Sequence, residues 1–283
     1  MGDELHFQWV TLHRTGSDPG PVSDRVCVEE PLEIVLRFQQ NGTVLSKTLA
    51  ITMRTPGQDE ALVRGLLFNE GILSDPQRDI DHLEFRYDCT ASVRTQQTVV
   101  VHLRNGLIPD VSHVERNLIT SSSCGVCGRT ALDRMLDQCI YLPRTGLPLI
   151  QASTLYTLPE KLLRSQEAFR QTGGIHGCAL FDTGGNIQLH AEDVGRHNAM
   201  DKLCGMAHER SLVPVSNQVI LVSGRASFEL VHKACMIGCA VLASIGAASS
   251  MAIETAETFG MTLVGFLRKD RANIYTHPER VTI

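Results

Sequence analysis

The chain has 283 residues, 43% hydrophobic and 20% charged, with a formal net charge of −5 and nine cysteines. That length holds two modest domains or one large one around a real core, and the acidic balance argues against a general nucleic-acid binder. An odd number of scattered cysteines (27, 89, 124, 127, 139, 178, 204, 235 and 239) is no secreted disulfide framework and reads as reduced thiols in a cytoplasmic protein.

The first residues, MGDELHFQWV, lack the basic and apolar regions of a signal peptide. Residues 1–24 are polar and dotted with Gly and Pro, and read as a loose arm. LEIVLRF and TVLSKTLAITM flank QQNG, whose Asn-Gly is a hairpin-turn signal. DEALVRGLLFNEG reads as a helix with Leu62, Leu66 and Leu67 on one side and Gly71 as its stop; HLEFRYD and QTVVVHL read as strands. Residues 25–120 are thus expected to form a ββαββ subdomain. A cysteine loop and connecting helix (129–138) occupy 121–150.

From 151 to 283 the rhythm changes. A helix is expected over 154–169 and a hairpin from GCALFD and NIQLHAED. Helices near 196–209, 226–236 and 250–259 then alternate with QVILV, CAVLASI and MTLVGFL. Strands alternating with helices of roughly ten residues point to βαβ crossovers and a parallel or mixed sheet. Gly238, Gly246 and several serines make the apolar stretch from Cys235 to Met251 too polar for a membrane span.

Four clusters carry candidate chemistry. SSSCGVCGRT holds Cys124 and Cys127 in a C-x-x-C, which half a zinc site, a redox couple and a nucleophilic thiol would all use. No second C-x-x-C completes a zinc knuckle. Flanking glycines and a following helix with Arg129 favour an accessible thiolate. His190-Ala191-Glu192 matches half of a zinc-deaminase signature, but no P-C-x-x-C follows it. Cys235 and Cys239, with His232 upstream, imitate a second knuckle along one helix face, but the two cysteines are flanked by Ala, Met, Ile and Val and read as small buried hydrophobes.

EDVGRHN places Arg196 and His197 at a helix start, with Asp193 as a candidate cap, where an anion or a plain solvated cap would both fit. His176 reads as a hydrogen-bonded core residue. VSGRASFELVHK is a strand–loop–helix that would turn backbone N–H groups and Arg225 toward a phosphate, without the spacing of a nucleotide fingerprint. GFLRKDRANIYT brings Arg268, Lys269 and Arg271 beside Phe266 and Tyr275, as a base-stacking and phosphate-holding segment or an exposed charged turn.

Together and in this order, SCGVCG, TGGIHGCALFD, EDVGRHNAMDK, VSGRASFELVHKA and TLVGFLRKDRANIYT resemble the FdhD family of formate dehydrogenase accessory sulfurtransferases, over roughly residues 25 to 280. The resemblance implies an α/β fold: a cytidine-deaminase-like three-layer α/β/α domain without the deaminase zinc, preceded by a smaller α+β subdomain. It implies a homodimer that takes sulfane sulfur from a cysteine desulfurase as a cysteine persulfide. The sulfur goes to molybdenum in the bis(molybdopterin guanine dinucleotide) cofactor, bound as substrate, before that cofactor enters formate dehydrogenase.

By the same resemblance Cys124 carries the persulfide and Cys127 assists. The segment Phe266, Leu267, Arg268, Lys269, Asp270 and Arg271 binds the cofactor, with Arg268 and Arg271 on phosphate and Phe266 on a base or pterin. Arg196, His197, Ser223, Gly224 and Arg225 join the same pocket, and no metal ligands are implied. Two rival functions remain: a chaperone that hands over molybdopterin without carrying sulfur, and a thiol–disulfide oxidoreductase.

Overall fold

The computed structural model describes residues 7–16, 20–87, 97–111 and 138–283. Cys124, Cys127, Arg129 and most of the helix expected at 129–138 lie outside them.

The N-terminal part is built on β3 (Glu30–Gln40) and β4 (Thr43–Arg54), joined through Asn41 and Gly42. Both turn residues have positive φ, 51° and 77°, the conformation that the Asn-Gly pair favours. β5 (Ile80–Tyr87) and β6 (Gln97–Leu103) complete a sheet of order β4-β3-β6-β5, in which β3 and β6 are parallel. Leu32, Ile34 and Leu36 alternate onto one face and pack against Leu62, Val63 and Leu67 of α1 (Asp59–Asn69). The short α2 (Pro76–Asp79) follows, its N-terminus capped by the Asp75 carboxylate.

Much of the stretch read as a loose arm is instead a hairpin of β1 (Phe7–Arg14) and β2 (Gly20–Cys27). None of its described strand residues is fully buried. The Arg25 guanidinium lies 4.9 Å from the Phe7 ring centre and 4.7 Å from that of Trp9, a cation–π contact that a hydrophobicity pattern does not register.

The C-terminal part is a six-stranded mixed sheet of order β13-β12-β11-β10-β8-β9. Its strands are β8 (His176–Asp182), β9 (Ile187–Asp193), β10 (Gln218–Val222), β11 (Val241–Ser244), β12 (Thr262–Gly265) and β13 (Asn273–Ile274). β10, β11 and β12 are parallel; β8 is antiparallel to both neighbours. Cys178, Leu180, Ile220, Val222, Leu242 and Leu263 share a core with α5 (Arg196–Glu209), α6 (Phe228–Met236) and α7 (Ser250–Thr258). Ala179, Phe181, Val219, Leu221, Val241 and Val264 face α3 (Ala152–Ser165). The expected α/β/α layering follows from this alternation. The helix expected over 154–169 is interrupted at Gln166, and α4 (Glu167–Thr172) begins beyond it. The short strand β7 (Ile150–Gln151) pairs with β14 (Val281–Thr282) at the chain end.

The two parts meet where α1 crosses α5. A Cβ on Gly65 would overlap the Asp201 carbonyl, and one on Gly205 would overlap the Ala61 carbonyl. The backbones therefore touch directly. Polar groups close the seam on both sides. Lys202 Nζ lies 2.7 Å from Asp193 and donates to the Thr55 carbonyl at 2.9 Å. Asn198 Nδ2 donates to the Met53 carbonyl at 2.7 Å. Lys233 pairs with Asp201 at 2.7 Å, and Asn69 donates to the same carboxylate at 2.7 Å. Burial works against the Lys233 cation, but Asp201 and Glu70 prevail and hold its pKa above the ordinary lysine value. Asp193, expected as a helix cap, is the last residue of β9; Gly195 is the N-cap and no side chain caps α5.

Alanine is the better helix former by about 1 kcal/mol. Gly205→Ala should nevertheless lower stability by about 2 kcal/mol through overpacking, read as a lower denaturation midpoint. A midpoint that is unchanged or raised would contradict the backbone contact.

Candidate functional site

Three parallel strands, β10, β11 and β12, end side by side at Val222, Ser244 and Gly265. β9 ends on the same edge at Asp193, and antiparallel β8 starts there at His176. α5, α6 and α7 all begin from this edge, so three helix N-termini bring their partial positive charge to one place; at α7 the Ser249 hydroxyl caps Ala252 N. The carboxyl end of parallel strands is the usual ligand side of an open α/β sheet.

Two of the strand–helix turns have the same sequence, Gly-x-Ala-Ser, at Gly224–Ser227 and Gly246–Ser249. They lock together: Gly246 N donates to Gly224 O at 2.9 Å, Ala226 N to Ala247 O at 2.9 Å and Ser249 N to Ala226 O at 3.1 Å. A Cβ on Gly246 would stand 2.8 Å from the Gly224 carbonyl, so only glycine permits this approach. The third turn joins through Phe266 N to Gly246 O, 2.9 Å, and Leu267 N to Ser244 O, 3.1 Å. The edge is thereby one continuous backbone surface.

The eleven residues that the resemblance assigns to the cofactor all gather along this edge, in unequal roles. Phe266 is 42% exposed and sits at φ 51°, a conformation rare for a side chain of its size. Leu267 is fully buried in the core, so its side chain is unavailable to a ligand. Arg268 donates to the Ile245 carbonyl at 2.7 Å and braces the loop beneath it. Lys269, Asp270 and Arg271 form the exposed tip, closed by Arg268 N on Arg271 O at 2.8 Å. Arg225 is also exposed, and among the described residues neither it nor Lys269 or Arg271 has a carboxylate partner. Ser223 accepts from Gly177 N at 2.9 Å and Gly224 packs against the His176 ring.

At the β8 end His197 pairs with Glu229 of α6 at 2.8 Å, and that contact lowers the Glu229 pKa. Arg196 Nε and Ser227 Oγ are buried without a partner among the described residues. Half-buried His176 is kept below the ordinary imidazole pKa by burial and then by Arg196 and His197, so it is neutral at pH 7. His176 was expected in the core and Glu229 was not singled out at all. The sequence signal for the second turn, the repeated Gly-x-Ala-Ser, also passed unread.

His190 and Glu192 line a separate cleft of 290 Å³ with Gly57, Gln58 and Lys202. There the Glu192 carboxylate accepts from Ala168 N at 3.0 Å and Phe169 N at 2.9 Å, capping α4. Glu192 of the H-x-E pair thus does structural work.

Residues 27–282 match the model of the FdhD/NarQ family. The chain belongs to the FdhD/NarQ family. It is 45% identical over 264 residues to "Sulfur carrier protein FdhD" of Streptomyces coelicolor, covering 92% of this chain and 90% of that one. To the protein of the same name from Mycobacterium tuberculosis it is 41% identical over 262 residues, 92% of each chain. A crystal structure of a formate dehydrogenase accessory protein from Desulfotalea psychrophila has the same fold, with a TM-score of 0.70 at 24% identity over 98% of this chain and all of that one. Among the described residues no helix is long and apolar enough to cross a membrane.

The edge should attract polyanions. Replacing both Arg225 and Arg271 by Ala is expected to weaken pyrophosphate binding about tenfold, and added salt should narrow the difference. Titration calorimetry checks it; equal affinities would remove these arginines from the site.

Proposed function

We propose that this FdhD/NarQ protein is a sulfurtransferase serving formate dehydrogenase. In this reading a cysteine desulfurase supplies sulfane sulfur, Cys124 holds it as a persulfide, and Cys127 assists its transfer. The receiving substrate is the bis(molybdopterin guanine dinucleotide) molybdenum cofactor, held by its guanine nucleotide ends. The observation that supports it most is the carboxyl edge, where three helix N-termini converge with Arg225, Lys269 and Arg271, which have no carboxylate partner among the described residues. Two nucleotides with pyrophosphates carry several negative charges, which an edge of N–H groups and guanidinium ions complements.

Each residue's part follows from its position. Arg225, Lys269 and Arg271, exposed on the edge, meet phosphate. Phe266 offers a ring face to a base or pterin. Arg196, with its unpartnered Nε, supplies a further donor, while Arg268 and Ser223 keep the turns in shape. Gly224 leaves room for the His176 ring. The thiolate of Cys124 attacks the outer sulfur of the donor's persulfide; the donor's cysteine leaves as thiolate, and the new persulfide carries the sulfur onward. We also read the three-layer domain as cytidine-deaminase-like and the protein as a cytoplasmic homodimer.

After incubation with a cysteine desulfurase and cysteine, mass spectrometry should find an adduct of about 32 Da on Cys124, and Cys124→Ala should abolish formate dehydrogenase maturation. Full maturation by that variant would overturn sulfur transfer through Cys124 and leave the handover chaperone in its place.

A further inference from the structure

An edge made for phosphate has no need of a carboxylate, which repels it. Yet Glu229 stands in the wall between α5 and α6 with 57% of its side chain open to solvent. Asp270, the other acid of the edge, shares the exposed tip with Lys269 and Arg271. Glu229 does not cap its own helix: Ser227 is the N-cap of α6, and no side chain caps that end. Its carboxylate reaches across to α5 instead, where His197 Nε2 lies 2.8 Å from Oε2. That contact holds its pKa below the ordinary carboxylate value, so Glu229 is ionised at pH 7. A carboxylate has about four lone-pair positions, so one neighbour at Oε2 leaves Oε1 and part of Oε2 able to accept.

Two donors on the same wall have no partner among the described residues. Arg196 Nε belongs to the residue before His197, Ser227 Oγ to the residue two before Glu229, and both atoms are buried. The twin turn shows the contrast. There the equivalent Ser249 hydroxyl accepts from Ala252 N at 3.2 Å and caps α7, whereas the Ser227 hydroxyl makes no such bond.

An open acceptor beside two unused donors is the complement of a ring edge with two adjacent N–H groups next to a carbonyl oxygen. The 2-amino-4-oxopyrimidine ring, common to guanine and to pterins, has that edge. Adenine puts an acceptor where the ring N–H would be. We propose that Glu229 reads such a ring, accepting from its ring N–H and its exocyclic amino group, while Arg196 and Ser227 donate to its carbonyl oxygen. His197 is then a positioning residue that holds the carboxylate in place. This inference rests on the reading of the edge as the seat of a molybdopterin guanine dinucleotide, and adds how the protein distinguishes that ligand from other polyanions.

The test is titration calorimetry on the full-length chain with two pairs of probes, each differing at the exocyclic amino group: GDP against IDP, and 6-hydroxymethylpterin against 6-hydroxymethyllumazine. Pyrophosphate, which has no ring, is the fifth probe. The unchanged chain should bind the amino-bearing member of at least one pair about tenfold more tightly, because the other lacks a hydrogen bond to a charged acceptor. Which pair shows the preference tells guanine from pterin. Glu229→Gln should cut that preference to about twofold or less and bind pyrophosphate no more weakly, since a negative charge has left the edge. Equal binding within both pairs, or a preference that survives in Glu229→Gln, would overturn this inference, while retained pyrophosphate binding would leave the edge as an anion site. An unchanged chain that binds neither pyrophosphate nor any ring probe would overturn both readings together.

Discussion

Gly65 and Gly205 let α1 and α5 meet backbone to backbone, and the placement of the candidate site follows from that contact. Helices so close leave little space for water between them, so polar groups beside the crossing must satisfy one another or incur a desolvation penalty of several kcal/mol. Asp193, Asn198, Asp201 and Lys202 do so against Met53, Thr55 and Asn69. The same residues set where β9 stops and α5 starts. That in turn orients Arg196 and His197 toward His176 and Glu229. The seam between the two parts and one wall of the site are a single construction.

Charge is arranged by location rather than by total. The chain is acidic overall, and several of its cations are buried in structural work: Arg54 beside Asp59, Lys202 beside Asp193, Lys233 beside Asp201, and Arg280 on the carbonyls of Arg144 and Leu147. Cations left without carboxylate partners among the described residues include Arg225, Lys269 and Arg271, on the edge where the helix N-termini point. A local field of this kind attracts an anionic substrate even when the net charge repels it.

Much of the fold was legible in the residues. Asn41-Gly42 announced the β3–β4 hairpin, and short apolar runs marked β8, β10 and β12 as strands. The segments after β10 and β12, which the resemblance assigns to one pocket, leave the sheet along the same edge. Other features were not legible, for separate reasons. The β1–β2 hairpin presents no buried stripe among its described residues; its backbone ladder is joined by a cation–π contact of Arg25 with Phe7 and Trp9. Gly65 and Gly205 look like ordinary glycines within helical patterns until the partner helix is in place. EDVGRHNAMDK looks like one polar cluster, yet Arg196 and His197 face the edge while Asp193, Asn198 and Lys202 face the seam. Residues adjacent in sequence differ by about 100° in direction around a helix, and only the packing decides what lies in each direction.

The amino-acid sequence by itself determined most strand and helix types and the turn at Asn41-Gly42, because local periodicity and turn chemistry depend on neighbours along the chain, and its motifs in their order carried the family resemblance. Only the tertiary structure decided that Glu192 caps α4 and that Leu267 is core while Phe266 beside it is exposed. Each of these is a contact between residues far apart in the chain, and the pairing is set by how sheets and helices stack, which no local pattern encodes.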